Sequence, residues 1–122
     1  MYEITTEAHF SAAHHLLGYD GPCENVHGHN WLVRATVRCD ELDTNGIGMD
    51  FRKLKGRLEE ILGRLDHTDL NRVFTDRQTN PSSENIARHI FTELKTSLDS
   101  PHCRVWKVVV HETPGNSAAY YE

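Results

Sequence analysis

Residues 2–14 alternate in character. Tyr2, Ile4, Thr6, Ala8, Phe10, Ala12 and His14 form one set, and the more polar Glu3, Thr5, Glu7, His9 and Ser11 form the other. Strand side chains point alternately to two faces, so the pattern predicts a half-buried strand with His14 at the end of its inner face. A second alternation, over about 27–40, puts His27, His29, Trp31, Val33, Ala35, Val37 and Cys39 on one face. Asn30, Arg34, Thr36, Arg38 and Asp40 take the other. Gly18 to Pro22, with two glycines and a proline, reads as the turn between them.

The period then changes. Phe51, Leu54, Leu58, Ile61, Leu62 and Leu65 recur at helical spacing, and Asp50 is placed to cap a helix over about 51–64. Asp66-His67-Thr68-Asp69-Leu70-Asn71 is a dense polar cluster before a loop of about ten residues. A second helix starts at Ser82 or Ser83 and buries Ile86, Ile90, Phe91, Leu94 and Leu98, ending at Asp99-Ser100-Pro101. Alternation returns at Cys103–Thr113: Trp106, Val108, Val110 and Glu112 share one face, and Val105, Lys107, Val109 and His111 the other. A turn at Pro114-Gly115-Asn116 leads to a short strand over 117–121. The order β-β-α-α-β-β predicts one α+β domain over 1–122, a four-stranded antiparallel sheet with two helices on one face.

Composition narrows the chemistry. With 13 basic and 18 acidic residues the formal charge is −5, which argues against a nucleic-acid surface. No apolar run approaches the ~18 residues of a membrane span, and no secretory leader precedes the first strand. Cys23, Cys39 and Cys103 are odd in number and lack framework spacing, which points to a reduced, cytoplasmic protein. Nine histidines are the unusual count.

His27 and His29 fall on one face of the second strand, and His14 ends the inner face of the first. Three imidazoles with an open fourth position suit catalytic zinc; copper, nickel and iron also fit the ligand type. His15 points the other way and reads as a rim histidine. Gly28, between the two strand histidines, leaves room for another backbone or a ligand to approach. Cys23 has three readings: a fourth ligand that closes the site, an inert loop residue, or a thiolate activated beside a metal. Asp66-His67 reads either as an acid–imidazole pair or as a polar helix end. Glu112 either meets a donor-rich heterocycle at the end of an apolar face or turns into water.

Taken together, these segments resemble the 6-pyruvoyltetrahydropterin synthase and 6-carboxytetrahydropterin synthase family. The likeness covers almost the whole chain. It runs through Phe10-Ser11-Ala12-Ala13-His14, Cys23-x3-His27-Gly28-His29, Met49-Asp50-Phe51, Leu65-Asp66-His67-x2-Leu70-Asn71, Pro81-Ser82-Ser83-Glu84-Asn85 and Val110-His111-Glu112-Thr113. The resemblance implies a tunnelling fold whose protomers join through their sheets into trimers, and usually into hexamers. It implies Zn2+ on His14, His27 and His29, with Cys23 as proton-abstracting thiolate and Asp66 and His67 as its companions across a subunit boundary. It implies Glu112 as pterin anchor, helped by Ser82 and Ser83 of a neighbouring subunit. The implied substrate is 7,8-dihydroneopterin triphosphate. The short chain and brief loops resemble the bacterial 6-carboxytetrahydropterin synthases of queuosine and 7-deazaguanine biosynthesis more than the pyruvoyl branch. Glu24 sits where some relatives use a Glu in place of the Cys. A zinc-stabilised binding module without turnover is the competing class, and Arg34, Arg52 and Lys53 are triphosphate candidates by charge alone.

Overall fold

A computed structural model describes residues 1–18, 25–74 and 80–122. Strands β1 (Tyr2–His14) and β2 (His27–Cys39) are followed by helix α1 (Phe51–Gly63), a two-residue strand β3 (Thr68–Asp69) and a one-turn helix α2 (Leu70–Val73). Helix α3 (Ser83–Leu98) and strands β4 (Cys103–Thr113) and β5 (Asn116–Tyr121) complete the chain. The sheet has five strands in the order β3-β1-β2-β4-β5, not four. The β1, β2, β4 and β5 pairs are antiparallel, and β3 joins the β1 edge in parallel through Ala12–Thr68 and Ala13–Asp69. Two residues are too few to show a period, so β3 leaves no mark in the hydrophobic pattern.

The helices form where their stripes predict. Asp50 caps α1 by accepting from the Arg52 N–H, and Leu54, Leu58, Ile61 and Leu62 are buried. Ser82 caps α3, whose Ile86, Ala87, Ile90, Phe91, Leu94 and Leu98 are buried. Both helices pack on the sheet, α1 against β1 and α3 against β4 and β5. The core between the layers is built on Phe10, Trp31, Val33, Ala35, Leu54, Leu58, Ile90, Phe91, Val108 and Val110.

Two departures from plain alternation matter. Thr36 pairs with Lys107 and Val37 with Val105, so Trp106 is an extra, unpaired residue in a β-bulge. The bulge shifts the phase of β4. Cys103 and Val105 join Val108 and Val110 in the core, while Trp106 turns to the outer face, where the Arg38 guanidinium stacks 3.4 Å from its ring centroid. Strict alternation had put Trp106 inward and Val105 outward. The register also sets Cys39 opposite Cys103, Cα atoms 4.1 Å apart, and their sulfurs form a disulfide. This corrects the expectation of reduced thiols for that pair. No helix among the described residues is long and apolar enough to cross a membrane.

Candidate metal centre and active site

The antiparallel register of β1 and β2 places His14 directly opposite His27. His29, two residues along β2, lies on the same face. The three rings crowd together: centroids are 4.5 Å apart for His14–His27, 4.8 Å for His27–His29 and 5.3 Å for His14–His29. Fully buried Trp31 forms the floor, edge-on to His14 at 5.0 Å and to His29 at 5.3 Å. Its indole N–H donates to the Ala12 carbonyl, which ties the floor to β1. Gly28 is not needed for close approach within the chain. A Cβ there would meet only the Ala12 carbonyl oxygen, at 4.0 Å.

Ring orientation is set from behind. His14 Nδ1–H donates to the Pro81 carbonyl at 2.7 Å, and His27 Nδ1–H to the Asn25 carbonyl at 2.6 Å. A carbonyl only accepts, so each Nδ1 carries the proton and each neutral ring leaves its Nε2 lone pair free. Burial pushes the pKa of His14 below the usual histidine value; the Pro81 bond opposes this shift, and His27 adds to it. Burial likewise lowers His29, partly offset by the Glu112 charge. Both rings are thereby held neutral, the ligating form.

Glu112 closes the group. A second β-bulge, between His111 and Thr113, leaves it without a partner on β5 and aims its side chain at the rings. Its carboxylate oxygens lie 3.2 Å from His29 Nε2 and 3.8 Å from His14 Nε2, so the strand-end charge does not turn into water. The contact has ion-pair distance but not hydrogen-bond alignment, and the buried Nε2 atoms of His14 and His29 have no hydrogen-bond partner among the described residues. One donor atom from each of His14, His27, His29 and Glu112 lies within 4.8 Å of the others. Nitrogen ligands about 2.0–2.1 Å from a tetrahedral zinc ion stand roughly 3.3 Å apart, so donors spread over as much as 4.8 Å would draw together around such an ion. The orphaned ring nitrogens and the donor set both fit zinc. His15 stands outside the group, as its alternation implied.

A cavity of about 250 Å3 opens beside Glu112, lined also by Leu16, Ser82, Ser83 and Ser117. Ser82 and Ser83 thus line the same cavity as Glu112 of their own chain. The Ser82 hydroxyl oxygen accepts from the Asn85 N–H as helix cap, which leaves its own hydrogen available.

Asp66 and His67 lie side by side at ion-pair distance, Nδ1 to Oδ2 at 2.9 Å. They sit at the open edge of β1. The other Asp66 oxygen accepts from the Ser11 N–H, and the His67 N–H donates to the Ser11 carbonyl. His67 holds φ = 56°, the left-handed region unusual for a side chain with a Cβ, and projects into solvent. The Ser11 N–H, then His67, keep the Asp66 carboxyl below the usual carboxylate range. Among the described residues no hydrogen bond or ion pair joins this pair to the histidine group. Cys23 and Glu24 lie outside the described residues.

The charge-based triphosphate candidates gain no support. Arg34 is held by Glu7, with Nε at 2.8 Å, and Arg52 is exposed beside Asp50. Sequence reading also missed the Pro81 and Asn25 carbonyls that orient two rings, because a backbone group leaves no residue-type signal.

Known proteins resemble this chain over nearly its full length. A family model described as 6-pyruvoyl tetrahydropterin synthase matches residues 3–122. A Bacillus subtilis protein named 6-carboxy-5,6,7,8-tetrahydropterin synthase is 36% identical over 128 residues, covering 98% of this chain and 84% of its own length. A Synechocystis protein of the same name is 35% identical over 127 residues, covering 99% and 94%. The solved structure of Caenorhabditis elegans 6-pyruvoyl tetrahydropterin synthase superposes with a TM-score of 0.84 at 32% identity, covering 100% of this chain and 97% of that one. The family match over residues 3–122, the relatives and the shared fold together make this chain a member of the 6-pyruvoyl tetrahydropterin synthase family.

Proposed function

We propose that the protein is a zinc-dependent 6-carboxy-5,6,7,8-tetrahydropterin synthase, converting 7,8-dihydroneopterin triphosphate and water to 6-carboxytetrahydropterin, acetaldehyde and triphosphate. The observation that carries this is the His14–His27–His29 group with the Glu112 carboxylate at its rim and a cavity running to Ser82 and Ser83. Bound zinc supplies Lewis-acid polarisation of the substrate's side-chain hydroxyls. The three imidazoles would hold that ion, with His14 oriented by the Pro81 carbonyl and His27 by the Asn25 carbonyl, and burial favouring the neutral form of His14 and His29. Glu112 accepts from the ring N–H and exocyclic amine of the pterin, a charge-assisted pair of bonds. Ser82 and Ser83 donate to the same ring. Cys23 abstracts a proton from the substrate side chain, and the Asp66–His67 pair carries protons beside it. That pair stands at the β1 edge of its own chain, so it serves the site of a neighbouring copy in a sheet-joined trimer or hexamer. The product suits a cytoplasmic route to 7-deazaguanine bases.

The branch rests on likeness. The two bacterial relatives at 36% and 35% identity carry the carboxy name, while the nematode structure at 32% carries the pyruvoyl name. That nematode likeness supports a second reading, elimination of triphosphate to a diketone side chain. The mass of the product made from 7,8-dihydroneopterin triphosphate separates them. A 6-carboxytetrahydropterin mass is expected; a pyruvoyl product overturns the assignment, and no turnover favours a zinc-stabilised binding module.

A further inference from the structure

Beyond the end of β1 the regular strand stops, and side chains take the place of a neighbouring strand at the backbone groups of His15 and Leu17. Alternate residues of a strand present their N–H and C=O to the same edge, and here those residues are Ser11, Ala13, His15 and Leu17. At Ser11 the partners are the Asp66 carboxylate and the His67 N–H. Ala13 faces Asp69 of β3. At His15 the Asn71 side-chain amide takes over: its oxygen accepts from the His15 N–H at 2.9 Å and its nitrogen donates to the His15 carbonyl at 3.0 Å. At Leu17 the Asn80 amide repeats the arrangement, with both bonds 2.9 Å. A carboxamide offers one acceptor and one donor at a spacing that mimics a peptide group, so Asn suits both places.

His14 lies inside this side-chain ladder. It is 1% exposed, with the Asn71 clamp on the next residue and the Pro81 carbonyl on its own Nδ1. Asn80 immediately precedes Pro81, and the Asn85 amide donates to the Asn80 carbonyl at 2.8 Å. Asn71 thus holds the residue that follows His14, and Asn80 joins Leu17 to the segment whose Pro81 carbonyl orients the His14 ring.

We infer that Asn71 and Asn80 are positioning residues of the metal centre, which hold the His14 imidazole in ligating orientation by standing in for a strand along His15–Leu17. This inference rests on the proposed zinc site. Outer-shell partners of this kind typically change metal affinity by about 10–100-fold.

The test is zinc affinity, measured by competition with a chromophoric chelator, in the full chain and in Asn71→Ala and Asn80→Ala. Each variant should bind zinc about tenfold more weakly. In a His14→Ala background the same substitutions should cause no further loss, because the ligand they position is gone. Unchanged affinity overturns the inference, as does an equal loss with and without His14, which is what a merely structural role would give. Should an alanine variant fail to fold, Asn71→Asp or Asn80→Asp, each keeping the acceptor and losing the donor, is read by the same criteria. A parent chain that takes up no zinc overturns the proposed function and this inference together; a zinc-binding parent with unaffected variants overturns the inference alone.

Discussion

The Glu112 carboxylate stands 3.2 Å from His29 Nε2, brought there by a bulge that leaves Glu112 unpaired between β4 and β5. A carboxylate in that position either faces a ligand beside the metal or becomes a fourth metal donor. We assign it to the pterin. Glu112→Gln should raise KM for the pterin substrate by at least about tenfold, the scale of a hydrogen bond to a charged group, and leave one zinc per protomer. Steady-state kinetics with elemental analysis checks both. Loss of zinc in that variant would make Glu112 a metal donor instead.

His27 faces His14 across the β1–β2 ladder, so its removal should open the donor group without cutting the core. His27→Ala is expected to fold, to hold well under one zinc per protomer, and to lose the rise in Tm that zinc gives the parent. Elemental analysis and thermal melts with and without a chelator read this out.

Asp66 spends one oxygen on the Ser11 N–H and the other on His67. Asp66→Asn should lower kcat by about 10²-fold, the usual scale for general acid–base catalysis, with zinc content unchanged. Because the pair lies apart from the histidine group of its own chain, mixing inactive Asp66→Ala and inactive Glu112→Ala protomers through unfolding and refolding should restore part of the activity. No restoration would mean each site is complete within one chain.

Burial holds the pKa values of His14, His29 and His89 below 6.5. In the unfolded chain those rings regain the ordinary value, so below pH 6.5 the unfolded state binds more protons than the native one. Stability of the metal-free protein is therefore full above about pH 6.5 and falls as the pH drops from there through the lowered native values. Asp66, held low by Ser11 and His67, stays ionised through this window. The urea midpoint of zinc-stripped protein should be lower at pH 5.5 than at pH 7.5; a midpoint that rises on acidification would contradict the neutral-ring account.

Much of this site is legible in the chain itself, because strand alternation carries facing information. His14 ends the Phe10–Ala12 face and His27 and His29 begin the Trp31–Val33 face, so their convergence follows once the two strands pair. Alternation fails where an extra residue enters. Trp106 is such a residue, and nothing in Val105-Trp106-Lys107 marks the bulge. The Cys39–Cys103 pairing needs the β2–β4 register, which spacing alone does not supply. The two asparagine clamps and the Pro81 carbonyl were also beyond reach, since they depend on which backbone groups lack a strand partner.

The most direct measurement is acetaldehyde released per mole of 7,8-dihydroneopterin triphosphate consumed, in zinc-stripped protein and again after one equivalent of zinc is returned. We expect no release from the stripped protein, and about one acetaldehyde per substrate after zinc is restored, lost again in Cys23→Ala that keeps its zinc. Substrate consumed in the zinc-loaded protein without acetaldehyde, or equal turnover with and without the metal, would contradict the account.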